Sequence, residues 1–287
     1  MTIKLPAPTW AAIEDEVDAL LARRPGDEFF AKVLTGALRV ARDVENPIRG
    51  NLFASACREA VTHLLHTLAP EETVRSCHWF EQANGTTTVT RAQRADFIAH
   101  GGLMPSYVEA TLRLSRDEYV KPLLEAMEDL NKHTHVKPET VLDDDEAIRW
   151  SAGATMDSIS GLFDAAEECR STVVHELRGA IDERVMDRIL SETICELDEL
   201  STHTHVDETA TEEIAIVEIG PYTIRFEVEG TVYVTLQYGS DSDMESGDGA
   251  SMGDSYPFTA AVIADATNPA KFLEVLEPKV DNSSFFE

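Results

Sequence analysis

The chain has 287 residues, of which 43% are hydrophobic and 27% charged, and this composition is typical of a globular protein with one large domain or two smaller ones. Its first 20 residues lack the basic start and apolar core of a signal peptide, and no run of about 20 apolar residues predicts a membrane span. Four scattered cysteines without a C-x-x-C pair favour a reducing, cytoplasmic compartment.

The formal net charge of −29 is concentrated in the second half of the chain. Because an acidic surface repels phosphate backbones, we expect any nucleic acid to bind through the N-terminal half. The acidic half would instead suit a metal site or a basic partner protein. The densest basic run of the N-terminal half contains Arg23, Arg24, Lys32, Arg39, Arg42 and Arg49.

Three helices are predicted in the first 70 residues. The first begins near Thr9 and is broken at Pro25. Asp27 is placed to cap the second helix, because its carboxylate can accept a hydrogen bond from the first turn. The third helix covers residues 51–70 and ends at Pro70, which cannot continue it.

The helix over residues 51–70 has one apolar stripe and one polar face. Glu59, His63 and His66 are spaced by four and three residues, so they share a face, while Arg58 lies on a neighbouring one. Glu59 and His63 fit a solvated helix pair. The alternative is an Arg-x4-His element for phosphate binding or proton transfer, because arginine binds phosphate bidentately and histidine titrates near neutrality. The stripe is formed by Leu52, Phe53, Ala56, Ala60, Leu64 and Leu68.

Helical patterns continue beyond this segment. Thr90 caps a short helix that ends at Gly101, and Ser115 starts another helix with capping-box spacing. Residues 145–200 are helical in pattern almost throughout, and as one rod they would extend roughly 80 Å, which is too long for a compact domain. We therefore predict a break near Gly179 that gives an antiparallel helical pair. One long coiled coil is the alternative.

In the last third of the chain the apolar period changes from 3.6 to 2, which predicts strands. Gly220-Pro221 and Gly230 are interpreted as turns of an antiparallel meander, and residues 239–256 as a polar loop. The predicted fold is α+β, with a helical domain over residues 1–142 and, over residues 143–287, a domain with the long helical pair and an antiparallel β-sheet. The predicted strands are Ile214–Ile219, Tyr222–Glu229, Thr231–Tyr238 and Phe258–Ala264.

Several local strings resemble a known family. They are Asn46–Ala54 running into Arg58-Glu59 and His63, Ala69-Pro70 before Cys77–Phe80, Thr90–Arg94, Lys132–Val136, and Leu236–Asp243 ahead of Tyr256–Phe258. Through them, most of residues 46–287 is similar to the bacterial proteins described as predicted pPIWI-associating nucleases. The resemblance implies nuclease activity and a role in conflict with phages or plasmids, together with partner defence proteins.

A metal-dependent nuclease needs clustered carboxylates to hold Mg²⁺ or Mn²⁺, and often a nearby lysine. The candidate metal ligands are Asp241, Asp243 and Asp248. Either Glu227 or Glu229 from the preceding strand could join them. Residues 189–270 contain no lysine, which argues against a restriction-endonuclease-type centre. A metal site and a solvated loop both stay open.

The helical half also resembles, more weakly, the HEPN ribonucleases, which are helical proteins that use Arg-x4–6-His, commonly across a dimer. Arg58 and His63 fit this spacing, whereas Glu59 departs from the usual uncharged polar residue or histidine. The resemblance implies that His63 is the general base or acid and that Arg58 stabilises the charged transition state. Arg58, Glu59 and His63 are therefore the candidate catalytic residues.

The leading functional prediction is a cytoplasmic, defence-associated nuclease or nuclease subunit. The alternative is a non-catalytic acidic adaptor that binds a basic effector protein or mimics nucleic acid. The apolar positions between residues 159 and 200 exceed what one helical pair hides on one side, so we expect a homodimer through them. The sequence does not distinguish an RNA substrate from a DNA substrate.

Overall fold

The computed structural model describes residues 6–191 and 193–286. Helices form most of the chain before the C-terminal antiparallel sheet, so the predicted α+β class is confirmed. The chain divides into two compact units. The first contains residues up to Gly101 together with Val108–Cys169, and the second contains Gly102–Tyr107 and the residues from Arg170 onward. The domain boundary between residues 142 and 143 stays a prediction.

Two N-terminal caps form at the helix starts that the sequence predicts. Thr9 accepts a hydrogen bond from the Ala12 N–H at 3.2 Å. Asp27 accepts one from the Phe30 N–H at 3.0 Å, so each helix starts where its capping residue indicates. The helices are α1 Trp10–Ala22, α2 Glu28–Ala41, α3 Arg49–Leu68, α4 Glu71–Arg75, α5 Arg91–His100, α6 Pro105–Tyr107, α7 Arg116–His133, α8 Asp145–Ser191, α9 Cys195–Asp198 and α10 Asp241–Ser246, with a π-helical turn at Val108–Leu112 and a 3₁₀ turn at Ser283–Phe286.

The next two predicted caps have different outcomes. Thr90 and Gln93 exchange hydrogen bonds in a complete capping box at the start of α5. Ser115 precedes α7 as expected, but its side chain makes no capping hydrogen bond, so the capping box predicted there is wrong. The Glu118 N–H is instead bonded to the Ser115 carbonyl oxygen at 3.0 Å, which satisfies the donor that the hydroxyl would have capped.

Helix α3 packs against α2, α5 and α7. Because it has neighbours on several sides, its buried surface is a broad band rather than the narrow stripe that the sequence predicts. Leu52, the first residue of that stripe, is exposed. The buried apolar residues of α3 are Phe53, Ala54, Cys57, Ala60, Val61, Leu64 and Leu65.

The start of α3 holds the segment that follows α7. Asn51 is buried, and its Nδ2 donates to the carbonyl oxygens of His133 and Thr140, both at 2.8 Å. Its Oδ1 accepts from the Leu142 N–H at 3.1 Å. Gly50 is needed beside it, since a Cβ atom there would clash with the Leu142 carbonyl oxygen. The amide therefore replaces the backbone partners that this irregular segment lacks.

Helix α8 is one continuous helix of 47 residues, so the predicted break near Gly179 is wrong. A glycine inside a helix costs only about 1 kcal/mol relative to alanine. The sequence predicts a break because a single helix would be too long for one compact domain. Helix α8 is not confined to one domain, since it belongs to the first unit up to Cys169 and to the second unit beyond it.

Leu190 of α8 is exposed, whereas the regularly spaced apolar positions of this helix are buried within a single chain. They are Ile159, Leu162, Ala166, Cys169, Val173, Leu177, Ile181, Val185 and Ile189. Their burial removes the excess of exposed apolar surface on which the expected homodimer depends. The homodimer therefore stays a prediction without added support.

The second unit is built on an antiparallel sheet. Its order is β1-β2-β3-β4, and β5 also pairs with β3. Alternate residues of β2 from Ile224 to Leu236 are buried on one face. Arg178 of α8 donates to the carbonyl oxygens of Thr211 and Glu212 in β1, at 3.1 and 3.3 Å. The strands are β1 His203–Ile219, β2 Thr223–Tyr238, β3 Ala250–Asp265, β4 Asn268–Val275 and β5 Lys279–Val280.

The turn predicted at Gly230 is wrong, because β2 runs straight through it. Gly230 pairs with Thr211 of β1 and with Phe258 of β3. A Cβ atom at this position would clash with the Ala210 carbonyl oxygen and the Phe258 ring. Glycine here permits a close approach of neighbouring strands rather than a change of direction.

Two further boundaries differ from the predictions. The first strand begins at His203, well before Ile214, and its register shifts at three points. The segment predicted as a loop over residues 239–256 contains α10, and β3 already begins at Ala250. The polar composition that predicts a loop is compatible with an exposed helix turn and an exposed strand end, where no apolar face is required.

Candidate functional site

Helix α3 presents the three predicted catalytic residues on its less buried side. The Nε atom of Arg58 is 3.2 Å from Oε1 of Glu59, and its Nη2 atom binds the same oxygen. Glu59 is exposed and Arg58 partly so, and water therefore screens this ion pair. The structure brings Arg58 to Glu59, and it does not form the expected Glu59–His63 pair.

His63 has a different carboxylate partner. Its Nε2 atom lies 3.0 and 3.2 Å from the two carboxylate oxygens of Asp27, the residue that caps α2. The Nη2 atom of Arg24 lies 3.2 Å from Asp27 Oδ2. The Asp27 side chain is 8% exposed, whereas 30% of the His63 side chain is exposed. One nearly buried carboxylate thus holds a histidine that solvent can reach.

The hydrogen bonds around Asp27 decide its ionisation. Burial has the largest single effect on the pKa of Asp27 and raises it, because burial opposes the charged form. Hydrogen bonds from the Phe30 N–H, the His63 ring and the Arg24 guanidinium together outweigh it and lower the pKa of Asp27 below its usual value. Asp27 is therefore ionised at neutral pH and can fix the orientation of the imidazole, as carboxylates do for acid–base histidines.

An exposed aromatic ring lies beside this cluster. The ring centroids of Phe29 and His63 are 4.7 Å apart, with an interplanar angle of 49°. Phe29 is 50% exposed, although it is a large apolar residue. Exposed aromatic rings can stack on unpaired bases. The cluster of Arg24, Asp27, Phe29 and His63 therefore combines a cation, an oriented imidazole and an aromatic surface.

Most of the basic run predicted to bind nucleic acid is already paired within the chain. Arg23 binds Asp164, Arg24 binds Asp27, Arg42 binds Glu14 and Arg49 binds Asp145. In the parts of the chain that the structure describes, Lys32 and Arg39 form no ion pair. The positive charge available to phosphate is consequently smaller than the sequence indicates.

The carboxylates of the three predicted metal ligands bind different side chains. Asp243 accepts hydrogen bonds from the Ser240 hydroxyl and N–H, at 2.7 and 2.8 Å, and these bonds lower the pKa of Asp243. Asp241 and Asp248 contact other side chains, Gln237 and Ser246. Within residues 6–191 and 193–286, no group of three or more His, Cys, Asp or Glu side chains is placed to hold a metal ion. The metal site stays a prediction without added support.

The sheet contains Lys279, a lysine that lies beyond residues 189–270. Thr259 of β3 lies opposite Glu229 of β2 on one side and Lys279 of β5 on the other. These three residues line a cavity of about 360 Å³ together with Glu227 and Arg225. Arg225 is 3.5 Å from Glu227, and both side chains are exposed. Two carboxylates and a lysine thus lie together on the exposed face of the sheet.

His63 and Asp27 are each recognisable in the sequence, but their contact is not. The two residues are 36 positions apart, and no local spacing relates them. Asp27 carries a clear capping signal, which is confirmed, while its second role depends on how α2 packs against α3. The site is distinguished by a buried capping carboxylate. The capping pattern in the sequence predicts the cap but not its burial.

The fold and this cluster define an α+β protein of two compact units, with a carboxylate-oriented histidine in the helical unit. Two family models, both described as "Predicted pPIWI-associating nuclease", match residues 24–159 and residues 166–286. Between them they cover most of the chain, which belongs to the predicted pPIWI-associating nuclease family. Comparisons with curated proteins and with solved structures gave no match. Among the described residues, no helix is long and apolar enough to cross a membrane.

Proposed function

We propose that this protein is a nuclease in which His63 transfers protons and Asp27 positions it. The observation that carries the proposal is the nearly buried Asp27 carboxylate, which binds a solvent-accessible histidine and an arginine at once. The family described as predicted nucleases supports the reaction class, and the model that matches residues 24–159 includes all three residues.

RNA is the substrate class that this chemistry favours. A histidine general base can remove the proton from the 2′-hydroxyl, whose oxygen then attacks the adjacent phosphorus while the 5′-oxygen leaves and takes up a proton from water. Arg24 binds the same carboxylate as His63 and can stabilise the negative charge that develops. Arg58 joins it if substrate displaces Glu59. No resident metal ion is required for this reaction.

The test is cleavage of labelled single-stranded RNA and DNA of the same sequence, with EDTA or with Mg²⁺ or Mn²⁺. His63→Ala should lower kcat/KM for RNA by about 10²–10⁴ while EDTA leaves the wild-type rate unchanged. His66→Ala is the matched control, because His66 is an exposed histidine one turn further along α3. RNA cleavage that survives in His63→Ala would overturn the proposed site.

A carboxylate–metal centre on the sheet is the second candidate, favoured by the row of Glu229, Thr259 and Lys279. Mg²⁺ is commonly held by one or two protein carboxylates together with substrate phosphate oxygens. This centre predicts activity that EDTA abolishes, that Lys279→Ala removes and that His63→Ala leaves intact. A parallel Asp241→Asn/Asp243→Asn variant separates it from the metal site predicted at Asp241, Asp243 and Asp248.

We further propose that the nuclease acts in the cytoplasm, in defence against phages or plasmids, with nucleic acid bound through the N-terminal half. The family description supports an association with a pPIWI protein. The non-catalytic adaptor is the outcome if the purified protein cleaves no nucleic acid under any of these conditions.

A further inference from the structure

A groove of about 980 Å³ lies between α7 and the part of α8 in the first unit. Its lining residues run from Glu118 to His133 on one side and from Asp144 to Gly161 on the other. At 1.5 Å per residue these stretches are about 22 and 25 Å long, which is the length of about four helical turns. Most of the groove surface is apolar. Its shape therefore suits a helix better than a compact small molecule.

The spacing of the lining residues also indicates a helix. Ala147, Ala154 and Gly161 of α8 recur every seven residues, and Trp150 and Asp157 follow at the intermediate positions. This is the heptad spacing by which one helix receives the side chains of another. Ala154 is exposed, and no atom lies within 4 Å of the Cβ position of Gly161, so this seam is open in the single chain.

Six carboxylates line the groove. No lysine or arginine is among the described residues that line it, although the chain contains 24 of them. Glu118, Glu125 and Asp157 form no ion pair within the described parts of the chain. An apolar floor between unpaired carboxylates is complementary to a helix with leucine-like residues on one face and lysine or arginine at its borders. The acidic lining residues are Glu118, Glu125, Asp129, Asp144, Glu146 and Asp157.

The floor contains an unsatisfied donor. The indole Nε1 of Trp150 is buried and has no hydrogen-bond partner among the described residues. Nearby, the Ser151 hydroxyl donates to Asp129 at 2.8 Å and is therefore already used. Trp150 lines the groove, and its indole ring favours cationic groups.

We propose that this groove binds a cationic amphipathic helix of a partner protein. A second copy of the chain is a poor occupant, because each copy has a net charge of −29 and the groove itself is acidic. The proposal is independent of the nuclease site, since His63 and Asp27 do not line the groove.

The probe is a synthetic peptide of about 15 residues, matched to the groove length, with leucine at helical spacing and lysine elsewhere. Calorimetry with the full-length protein should show binding about tenfold tighter than for a scrambled isomer of the same charge. A peptide with glutamate in place of lysine should not bind. Equal binding of the helical and scrambled lysine peptides would overturn the proposal, because it would show attraction to net charge alone.

Two protein variants locate the binding. Ala154→Trp fills the seam and should abolish peptide binding while the circular dichroism spectrum stays unchanged. Glu125→Gln should weaken binding about twofold to fivefold. Glu128→Gln is the control and should have no effect, because Glu128 is an exposed residue of α7 that does not line the groove. Full affinity in Ala154→Trp would overturn the assignment. A wild-type dimer in sedimentation that Ala154→Trp converts to a monomer would instead identify a second copy as the occupant.

Discussion

Substitution of Asp27 can separate its capping role from its contact with His63. Asp27→Ala removes both, whereas Asp27→Ser keeps an oxygen that accepts from the Phe30 N–H and loses the bonds to His63 and Arg24. A lost N-cap costs about 1 kcal/mol of the free energy of unfolding. Bonds to the buried charge contribute about 1–2 kcal/mol, because His63 and Arg24 are partly exposed and screened.

We therefore expect Asp27→Ala to lower the free energy of unfolding by about 2–3 kcal/mol and Asp27→Ser by about 1–2 kcal/mol. The assay is urea unfolding followed by tryptophan fluorescence. Trp10, Trp79 and Trp150 all lie in the first unit, so the signal reports the unit that contains Asp27. Equal losses in the two variants would show that the cap contributes nothing. A wild-type value for Asp27→Ser would refute the argument that Asp27 holds His63.

The pH dependence gives an independent check. The folded-state pKa of Asp27 is below its ordinary value of about 3.9. Its charge therefore stabilises the fold above that value, and this stabilisation is lost as the pH falls through the folded-state pKa. The difference in unfolding free energy between wild type and Asp27→Ala should shrink as the pH falls from about 5 towards 3. A difference that grows on acidification would contradict the assignment.

Three further results are expected. Gly179→Ala should raise the free energy of unfolding by about 0.5–1 kcal/mol, because nothing lies within 4 Å of its Cβ position in α8, and a loss would indicate a break there. Gly230→Ala should lower the melting temperature through a loss of about 1–3 kcal/mol, because its Cβ atom would clash with neighbouring strands, and an unchanged melting temperature would contradict this strand packing. Cys195 is exposed and should react with a thiol reagent in the native protein, whereas Cys57, whose thiol pKa is raised by burial, should react only after unfolding, so the opposite order would contradict the burial pattern.

The parts of the fold that depend on local chemistry are predictable from the sequence. Helix starts are indicated by capping residues, because their side-chain oxygens bind donors only three residues away. These residues are Thr9, Asp27 and Thr90. Gly230 shows the limit of such reasoning, because the same residue serves a turn and a close strand contact. Only the position of β1 and β3 beside it distinguishes the two.

The candidate site is less predictable because it too depends on neighbours that are distant in the sequence. His63 stands out by its residue type, but its partner Asp27 comes from another helix start 36 residues earlier. Lys279 reaches Thr259 and Glu229 only through the pairing of β5 with β3. Both juxtapositions arise from tertiary packing, and neither leaves a periodic signal in one segment.

The contacts of Asn51 also constrain when the helical unit can be completed during synthesis. Its partners His133, Thr140 and Leu142 lie 82, 89 and 91 residues further along the chain. At about 5–20 residues per second, a ribosome needs about 5–20 s to make that stretch. Until then the side-chain amide of Asn51 lacks these native partners, and α3 cannot pack against all of its final neighbours. A nascent chain that ends before residue 142 should therefore expose this helix to chaperones and proteases.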